Sequence, residues 1–502
     1  MSAFKRWLIL GIVSSALFLI VIDMTILYTA LPILTHDLHA SASEKLWIVN
    51  AYSLVMAGLL PAMGTLGDRI GYKQIFAAGI VLFGAASIVA AFSPSPGTLI
   101  LARILLAVGA SMMMPATLSI IKVTFSKPAE LGVALGIWGS VSSGGAGLGP
   151  IIGGFLLEHF WWGSVFLINI PIAILAFIMT VVFIPRHSGD KTKKFDYVSS
   201  AQIMIALVTL IYAIKEFTRR DGSMAIAILS AVIGIIAIFI FIRRQNRMST
   251  PLIDLSLFKN STLTLGFFAA LISSFALMGV QYLITQRLQL VEGMTPLQAG
   301  MYTLCMPIAA FIAGPIAGAM LNRIHVIYIK SAGFLIAAVG MGIYLLNFNS
   351  GLLSQILGLS LLGAGIGATM TTASHSIMSQ APSNKAGMVA SIEEVAFELG
   401  GAVGIAIIGS LSGLFYTLSM NIAESLNLPL QIRDSLDEAL IVAEGLPEGT
   451  ANEVIAAGFD AFNAAFTTVN WGVTLLLVLV AIAIARVGVT LKKSKQIRTQ
   501  GH

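Results

Sequence analysis

Four carboxylates fall inside apolar stretches of membrane-crossing length: Asp23 in FLIVIDMTILYTALP, and Glu393, Glu394 and Glu398 in VASIEEVAFELGGAVGIAIIG. Burying a charge in hydrocarbon costs several kcal/mol, so an acid in such a place is read first as functional, facing a cavity or a partner. Desolvation pushes a carboxylate toward its neutral form and a second carboxylate nearby adds to the push, whereas a bound organic cation favours the ionised form. Proton and cation then compete for one negative charge. That competition is sufficient for exchange across a membrane if only loaded states change conformation. The plainer alternative for each acid is a protonated, hydrogen-bonded packing residue.

Spacing separates the four. Glu394 and Glu398 are four apart and share a helix face, while Glu393 is rotated by about 100° from Glu394. Asp23 lies about 16 residues into its apolar run, roughly 24 Å at 1.5 Å per residue, which places it beyond the middle, toward the outside.

The elements that must position these acids are membrane spans. Of 502 residues 57% are hydrophobic and 10% charged, with a mean hydropathy of +0.92, far from the balance of a soluble domain. Runs long enough to cross hydrocarbon fall near 7–31, 46–66, 75–93, 97–121, 131–157, 162–184, 197–214, 223–242, 262–286, 297–321, 327–347, 352–379, 387–416 and 465–489. These are spans 1 to 14 of an all-α membrane protein. With both termini cytoplasmic, most of the 29 Lys and Arg fall in cytoplasmic segments and Arg103 alone in a span, as the positive-inside rule requires. The exception is Lys215, Arg219 and Arg220 in the external turn between spans 7 and 8, partly neutralised by Glu216 and Asp221. The net charge of +6 is spread in short clusters between apolar runs, so it reads as topology and not as a nucleic-acid surface. Lys5 and Arg6 precede a run too long for a signal peptide, so the first span is expected to be retained. Cys305 is the single cysteine, which excludes an intramolecular disulfide. The external segment 417–463 is acidic, and two readings stay open for it: a solvated connector or short hairpin, or a surface that attracts cations or gates the exit.

Near-equal offsets join the two halves. Gly64-Thr-Leu-Gly-Asp68-Arg69-Ile70 matches Gly318-Ala-Met-Leu-Asn322-Arg323-Ile324 at an offset of 254, and Gly145…Gly149 matches Gly400…Gly404 at 255. The expected organisation is a six-helix repeat over 1–185, an inserted helix pair with linkers over 186–260, a second six-helix repeat over 261–489, and a cytoplasmic tail, 490–502. Such repeats place a substrate site near the midplane at their interface.

Three motifs remain. The turn GTLGDRIGYKQI offers Gly64 and Gly71 for a tight reversal, and Asp68, Arg69 and Lys73 for ion pairs with neighbouring helix ends that hold one conformation. Gly145, Gly149, Gly153 and Gly154 of span 5, with Pro150, let helix backbones touch; simple helix packing explains the same spacing. Arg103 either snorkels to the nearer face or has a buried partner. Phe18, Tyr28, Tyr52, Trp138 and Phe397 could hold a lipophilic cation by cation–π contact. His159, His325 and His375 have no metal-ligand spacing, and no phosphate-binding loop occurs.

Together these residues resemble the major facilitator superfamily, in particular its fourteen-span drug:proton antiporters and the quaternary ammonium and methyl viologen exporters of the QacA and SmvA type. GTLGDRIGYKQI is similar to the superfamily's loop 2–3 signature, Arg103 with Gly109 to its span-4 motif, GAGLGPIIGG to the span-5 antiporter signature, and Asp23-Met-Thr25 with Ala30-Leu31-Pro32 to the span-1 motif. The likeness extends to the span-13 acids and to PLIDLSLF at 251–258. It departs at Tyr28-Thr29, where the family has Asn-Val, at Asn50, where some relatives carry an acid, and in span 10, which has no carboxylate. The resemblance implies the major facilitator fold and proton-driven export of hydrophobic mono- and divalent organic cations from a bacterial cytoplasm, by a monomer in the inner membrane with no cofactor beyond the proton gradient. Asp23 and Arg103 would couple protons. Glu393, Glu394, Glu398, Asp23, Phe397, Trp138 and Tyr52 would bind substrate. Gly64, Asp68, Arg69, Gly71 and Lys73 would form a cytoplasmic latch, and the span-5 glycines a surface on which the repeats slide. The competing expectations are proton-coupled movement of a neutral or anionic solute such as a siderophore, peptide or sugar, and, outside transport, a membrane enzyme or scaffold.

Overall fold

A computed structural model of the chain describes residues 2–40, 42–186, 189–190, 196–218, 223–248, 251–348, 351–421 and 429–500. Without water in a bilayer core each backbone N–H and C=O needs an internal partner, and a helix supplies one to nearly every residue. Among the described residues fourteen helices are long and apolar enough to cross a membrane. Apolar side chains on the outside of spans 6 and 8, such as Leu175, Ile178, Ile235 and Phe239, are exposed, a surface suited to lipid.

The spans are Ala3–Asp37, Ala42–Ile70, Tyr72–Ala91, Pro96–Thr124, Pro128–His159, Ser164–Phe183, Tyr197–Thr218, Met224–Gln245, Ser261–Gln286, Leu297–Met320, Val326–Asn347, Leu352–Ser379, Ala386–Ser419 and a last helix, Glu448–Gln500. Ser95 and Ser223 cap spans 4 and 8 by accepting from a backbone N–H of the first turn, and Thr295 and Gln298 form a capping box before span 10. The face of the bundle on which the chain begins is called the N-terminal face below.

Two boundaries differ from expectation. The last helix begins 17 residues before position 465, because the segment after Pro447 has no further proline and its turns pack on the short helix Leu436–Glu444, where Leu436, Ala439 and Ala443 are buried. Much of the expected external loop is therefore helical hairpin. Lys215, placed by sequence in a turn, lies within the helix of span 7.

Span 5 runs along span 10, span 2 along span 13, and spans 7 and 8 pair with each other while span 7 leans on spans 2 and 13. At the N-terminal face the first two seams close on paired glycines. A Cβ on Gly64 would collide with the carbonyl oxygen of Gly387, and one on Gly132 would lie 2.8 Å from that of Gly318. Gly64 and Gly318 are 254 apart and Gly132 and Gly387 255 apart, so the repeat offsets reappear as a pseudo-symmetric pair of contacts. The two six-helix repeats thus meet through equivalent surfaces, with the inserted pair alongside one seam.

Candidate functional site

Asp23 of span 1 is buried and paired with Arg103 of span 4 at 2.5 Å between Oδ2 and Nη1. Asn169 of span 6 donates to the other carboxylate oxygen at 2.9 Å and to Ser87 at 3.2 Å. The guanidinium lies 4.3 Å from the centroid of the Tyr52 ring, and Arg103 Nε donates to the Ile48 carbonyl at 3.4 Å. Of the two readings open for Arg103, the structure has the inward one. Because Ile48, Tyr52, Arg103 and Asn169 lie near the beginnings of spans 2, 4 and 6, the pair is in the half of the bundle away from the N-terminal face.

The span-13 acids are also withdrawn from solvent. Glu393 is 0% exposed and neither carboxylate oxygen has a hydrogen-bond partner; Glu394 is 3% exposed with Oε1 unpartnered. Glu393 faces Ser374 of span 12 in its own repeat. Glu398 is half-buried and turns the other way, within electrostatic reach of Tyr52 on span 2 and Lys215 on span 7. Glu394 feels both neighbouring acids. Tyr52, itself buried, is thus the side chain between the Asp23–Arg103 pair and Glu398. The other aromatics expected at a cation site are placed differently. Trp138 donates its indole N–H to Thr117 at 3.0 Å within the first repeat, and Phe397 packs into the apolar core. Phe18 lines an apolar side groove of about 480 Å³ between spans 1 and 5, with Trp7, Gly11 and Ile137, that none of the acids reaches. The side chains of Tyr28 and Pro150 lie outside the described residues.

The turn at 64–75 works through helix ends. Asp68, buried, accepts from the backbone N–H groups of Gly387 at 2.8 Å and Met388 at 3.1 Å and from the Tyr72 hydroxyl at 2.6 Å. It therefore caps span 13, the helix of the three glutamates, where orphan donors and the positive end of the helix dipole favour an anion. Lys73 donates to the carbonyls of Val181 and Ile184 at the end of span 6. Gly71 has φ +103°, a conformation that suits glycine. The contacts described for Asp68 and Lys73 are with backbone groups and the Tyr72 hydroxyl, and among the described residues Arg69 makes no ion pair. A second tie on the same face runs from Lys122 of span 4 to the Ser379 carbonyl of span 12 at 3.2 Å.

The sliding surface expected of span 5 is corrected as well. Gly145, Gly149 and Gly153 face Phe18, Val21, Thr25, Ile26 and Thr29 of span 1 in the same repeat, and Gly154 faces open space. Contact with the other repeat is carried by Gly132 and Gly136 against Gly318 and Gly314, and by Gly144 and Gly147 against Phe311, Leu304 and Pro307. Ser140 adds a 2.5 Å hydrogen bond to the Phe311 carbonyl. Nor is Arg103 the single base inside a span: Lys215, Arg287 and Lys330 also lie in candidate spans. Arg287 is engaged by Asn463 and Glu292, and Lys330 donates to Ser376 at 2.9 Å.

Residues 13–405 match the family model described as Major Facilitator Superfamily. The chain is 37% identical over 462 residues to the methyl viologen resistance protein SmvA of Salmonella typhimurium, covering 91% of this chain and 93% of that protein. It is 35% identical over 493 residues to the multidrug efflux pump LfrA of Mycolicibacterium smegmatis, covering 97% of each. In shape it is similar to the crystal structure of the human organic anion transporter MFSD10 (TETRAN), with a TM-score of 0.63, 15% identity and coverage of 96% of this chain and 100% of that one. At that identity the likeness bears on the fold alone.

Proposed function

The chain belongs to the Major Facilitator Superfamily, a multi-pass membrane transporter and not an enzyme, and from that premise we propose that it is a proton-coupled antiporter exporting hydrophobic organic cations. The observation that carries the reading is the set of buried carboxylates on span 13, of which Glu393 and Glu394 present oxygens without hydrogen-bond partners. Acids kept in that condition inside a bundle suit a ligand that brings positive charge. The names of the relatives SmvA and LfrA, a methyl viologen resistance protein and a multidrug efflux pump, support the same class of cargo. The protein would act as a monomer in a bacterial inner membrane, with both termini in the cytoplasm.

In this mechanism Glu394 and Glu398 receive the cation and Asp23 the proton. Protonation of Asp23 removes the counter-charge of Arg103 and leaves a buried guanidinium facing a carbonyl and the Tyr52 ring. An uncompensated buried charge costs about 3–5 kcal/mol, enough to favour rearrangement of spans 1 and 4. Because Tyr52 lies against Arg103 and within electrostatic reach of Glu398, a change at Arg103 can reach Glu398 by way of one side chain. The Asp68 contact with span 13 holds the N-terminal face shut until it breaks.

The test is substrate-induced proton release from purified protein across monocationic dyes, dicationic viologens and neutral solutes. Cation-selective release is expected. Release with neutral solutes and not with cations would instead favour a symporter or exchanger of uncharged cargo.

A further inference from the structure

Lys215 has no place in the mechanism above, yet it reaches the same surface. Its Nζ donates to Asn50 Oδ1 at 2.7 Å and to Ser53 Oγ at 2.9 Å, both on span 2. Both of those acceptors are neutral. Glu398 of span 13 is a charged group that acts on it from the other repeat. The packing explains the reach: Ile211 of span 7 is buried against Leu54 and Ala57 of span 2 and Leu399 and Ala402 of span 13. Lys215 lies four residues further along span 7, on the same helix face. The inserted helix thus delivers an ammonium to the seam between the repeats, beside Tyr52 and Glu398.

The other cations nearby do not duplicate it. Arg103 is committed to Asp23, and Lys330 lies on Ser376 within the second repeat. An arginine would hold a carboxylate in a rigid two-pronged grip, whereas a lysine is a point charge on a flexible stem that can change partners. Here it rests on Asn50 and Ser53 with Glu398 in electrostatic reach.

We propose that Lys215 is a tethered counter-cation for Glu398 and a specificity-determining residue of the cation site. The inference rests on the export reading and deepens it. A monocation bound at Glu394 leaves Glu398 compensated by Lys215. A dication brings its second charge to Glu398 and competes with the ammonium for that carboxylate, leaving the lysine on Asn50 and Ser53 alone. The lysine therefore holds down the affinity for dications and sets how strongly the site separates the two substrate classes.

The experiment measures equilibrium binding of methyl viologen as dication and tetraphenylphosphonium as monocation to the purified full chain. Wild type, Lys215→Met, Lys215→Arg, Glu398→Gln and the Lys215→Met/Glu398→Gln pair are compared. Lys215→Met should raise the dication-to-monocation affinity ratio by about tenfold, the change that ~1.4 kcal/mol produces. Lys215→Arg, which keeps the charge and guards against loss of folding, should stay near the wild-type ratio. In the Glu398→Gln background Lys215→Met should no longer move the ratio. An unchanged ratio in Lys215→Met, or a shift that persists without Glu398, overturns this role while cation binding by the wild type leaves the export reading standing. A wild-type chain that binds neither cation overturns both.

Discussion

Arg103 and Asp23, 80 residues apart in the chain, form a 2.5 Å ion pair with both side chains sealed from solvent. The pair joins spans 1 and 4, is braced by Asn169 of span 6, and touches span 2 through Tyr52 and the Ile48 carbonyl. Four helices of the first repeat are thus tied to one pair of charges, so the charge state of Asp23 is a matter of packing as well as chemistry.

Asp23→Asn should lose pH-gradient-driven efflux in proteoliposomes and also lose stability, since removing one partner of a buried pair costs about 3–5 kcal/mol. Asp23→Asn/Arg103→Met should regain most of the stability in a detergent melt and none of the transport. Transport restored in the double variant would take Asp23 out of the coupling role.

Glu398→Gln should weaken dications more than monocations, because the second charge needs a second acid. Glu393→Gln should leave that preference unaltered, since Glu393 faces Ser374 inside its own repeat. Parallel losses for both cation classes at Glu398 would point to packing in place of recognition.

Gly149→Ala should impair assembly, as the new methyl would meet the Thr25 hydroxyl and the backbone of Ile26, an overpacking worth about 1–3 kcal/mol. Gly154→Ala, with nothing in reach, should match the wild type in yield and melting temperature. Gly136→Ala, opposed by the Gly314 carbonyl across the repeats, is expected to slow transport; wild-type turnover would argue that this seam does not need close backbones.

Asp68→Ala should speed hydrogen–deuterium exchange over 386–390 by the loss of a helix cap, about 0.5–2 kcal/mol. Unaltered protection there would mean that water replaces the carboxylate without cost.

Outside the spans, Asp254 accepts from Lys385 at 2.7 Å, and that bond with the Ser256 hydroxyl holds its carboxyl below the usual range. A depressed folded value gives stability that is present above the unfolded carboxylate value, ~3.9, and is lost as pH falls through the folded one. The melting difference between wild type and Asp254→Asn should therefore persist at neutral pH and vanish in strong acid. A difference that changes around neutrality would bring this pair into the transport cycle, where it is not expected.

Run lengths and charge asymmetry were enough to read fourteen spans, and offsets of 254 and 255 were enough to suggest a repeat, whereas the Gly64–Gly387 and Gly318–Gly132 contacts come from packing alone. Hydropathy does not mark where a helix stops, only where apolar residues do; hence Lys215 and the early turns of the last helix were misplaced. Spacing also names a helix face without naming its neighbour. Span 5 has one glycine face for span 1 and another for span 10, and only packing tells them apart. Asp23 and Arg103 were expected to act together in proton coupling, but their direct ion pair was not legible, since two lone charges in different spans carry no local pattern that places them in contact.

On span 13 Asp68 meets backbone N–H groups, and this bears on how the contact can fail. Any residue at 388 other than proline supplies the same N–H, whereas at 387 a Cβ would collide with the Gly64 carbonyl oxygen, so only glycine keeps that donor in place. Genetic loss of the fastening concentrates on Asp68 and on the glycines that allow the approach. Met388→Pro, in a first helical turn where proline is tolerated, would delete one donor while leaving every charge in the protein untouched.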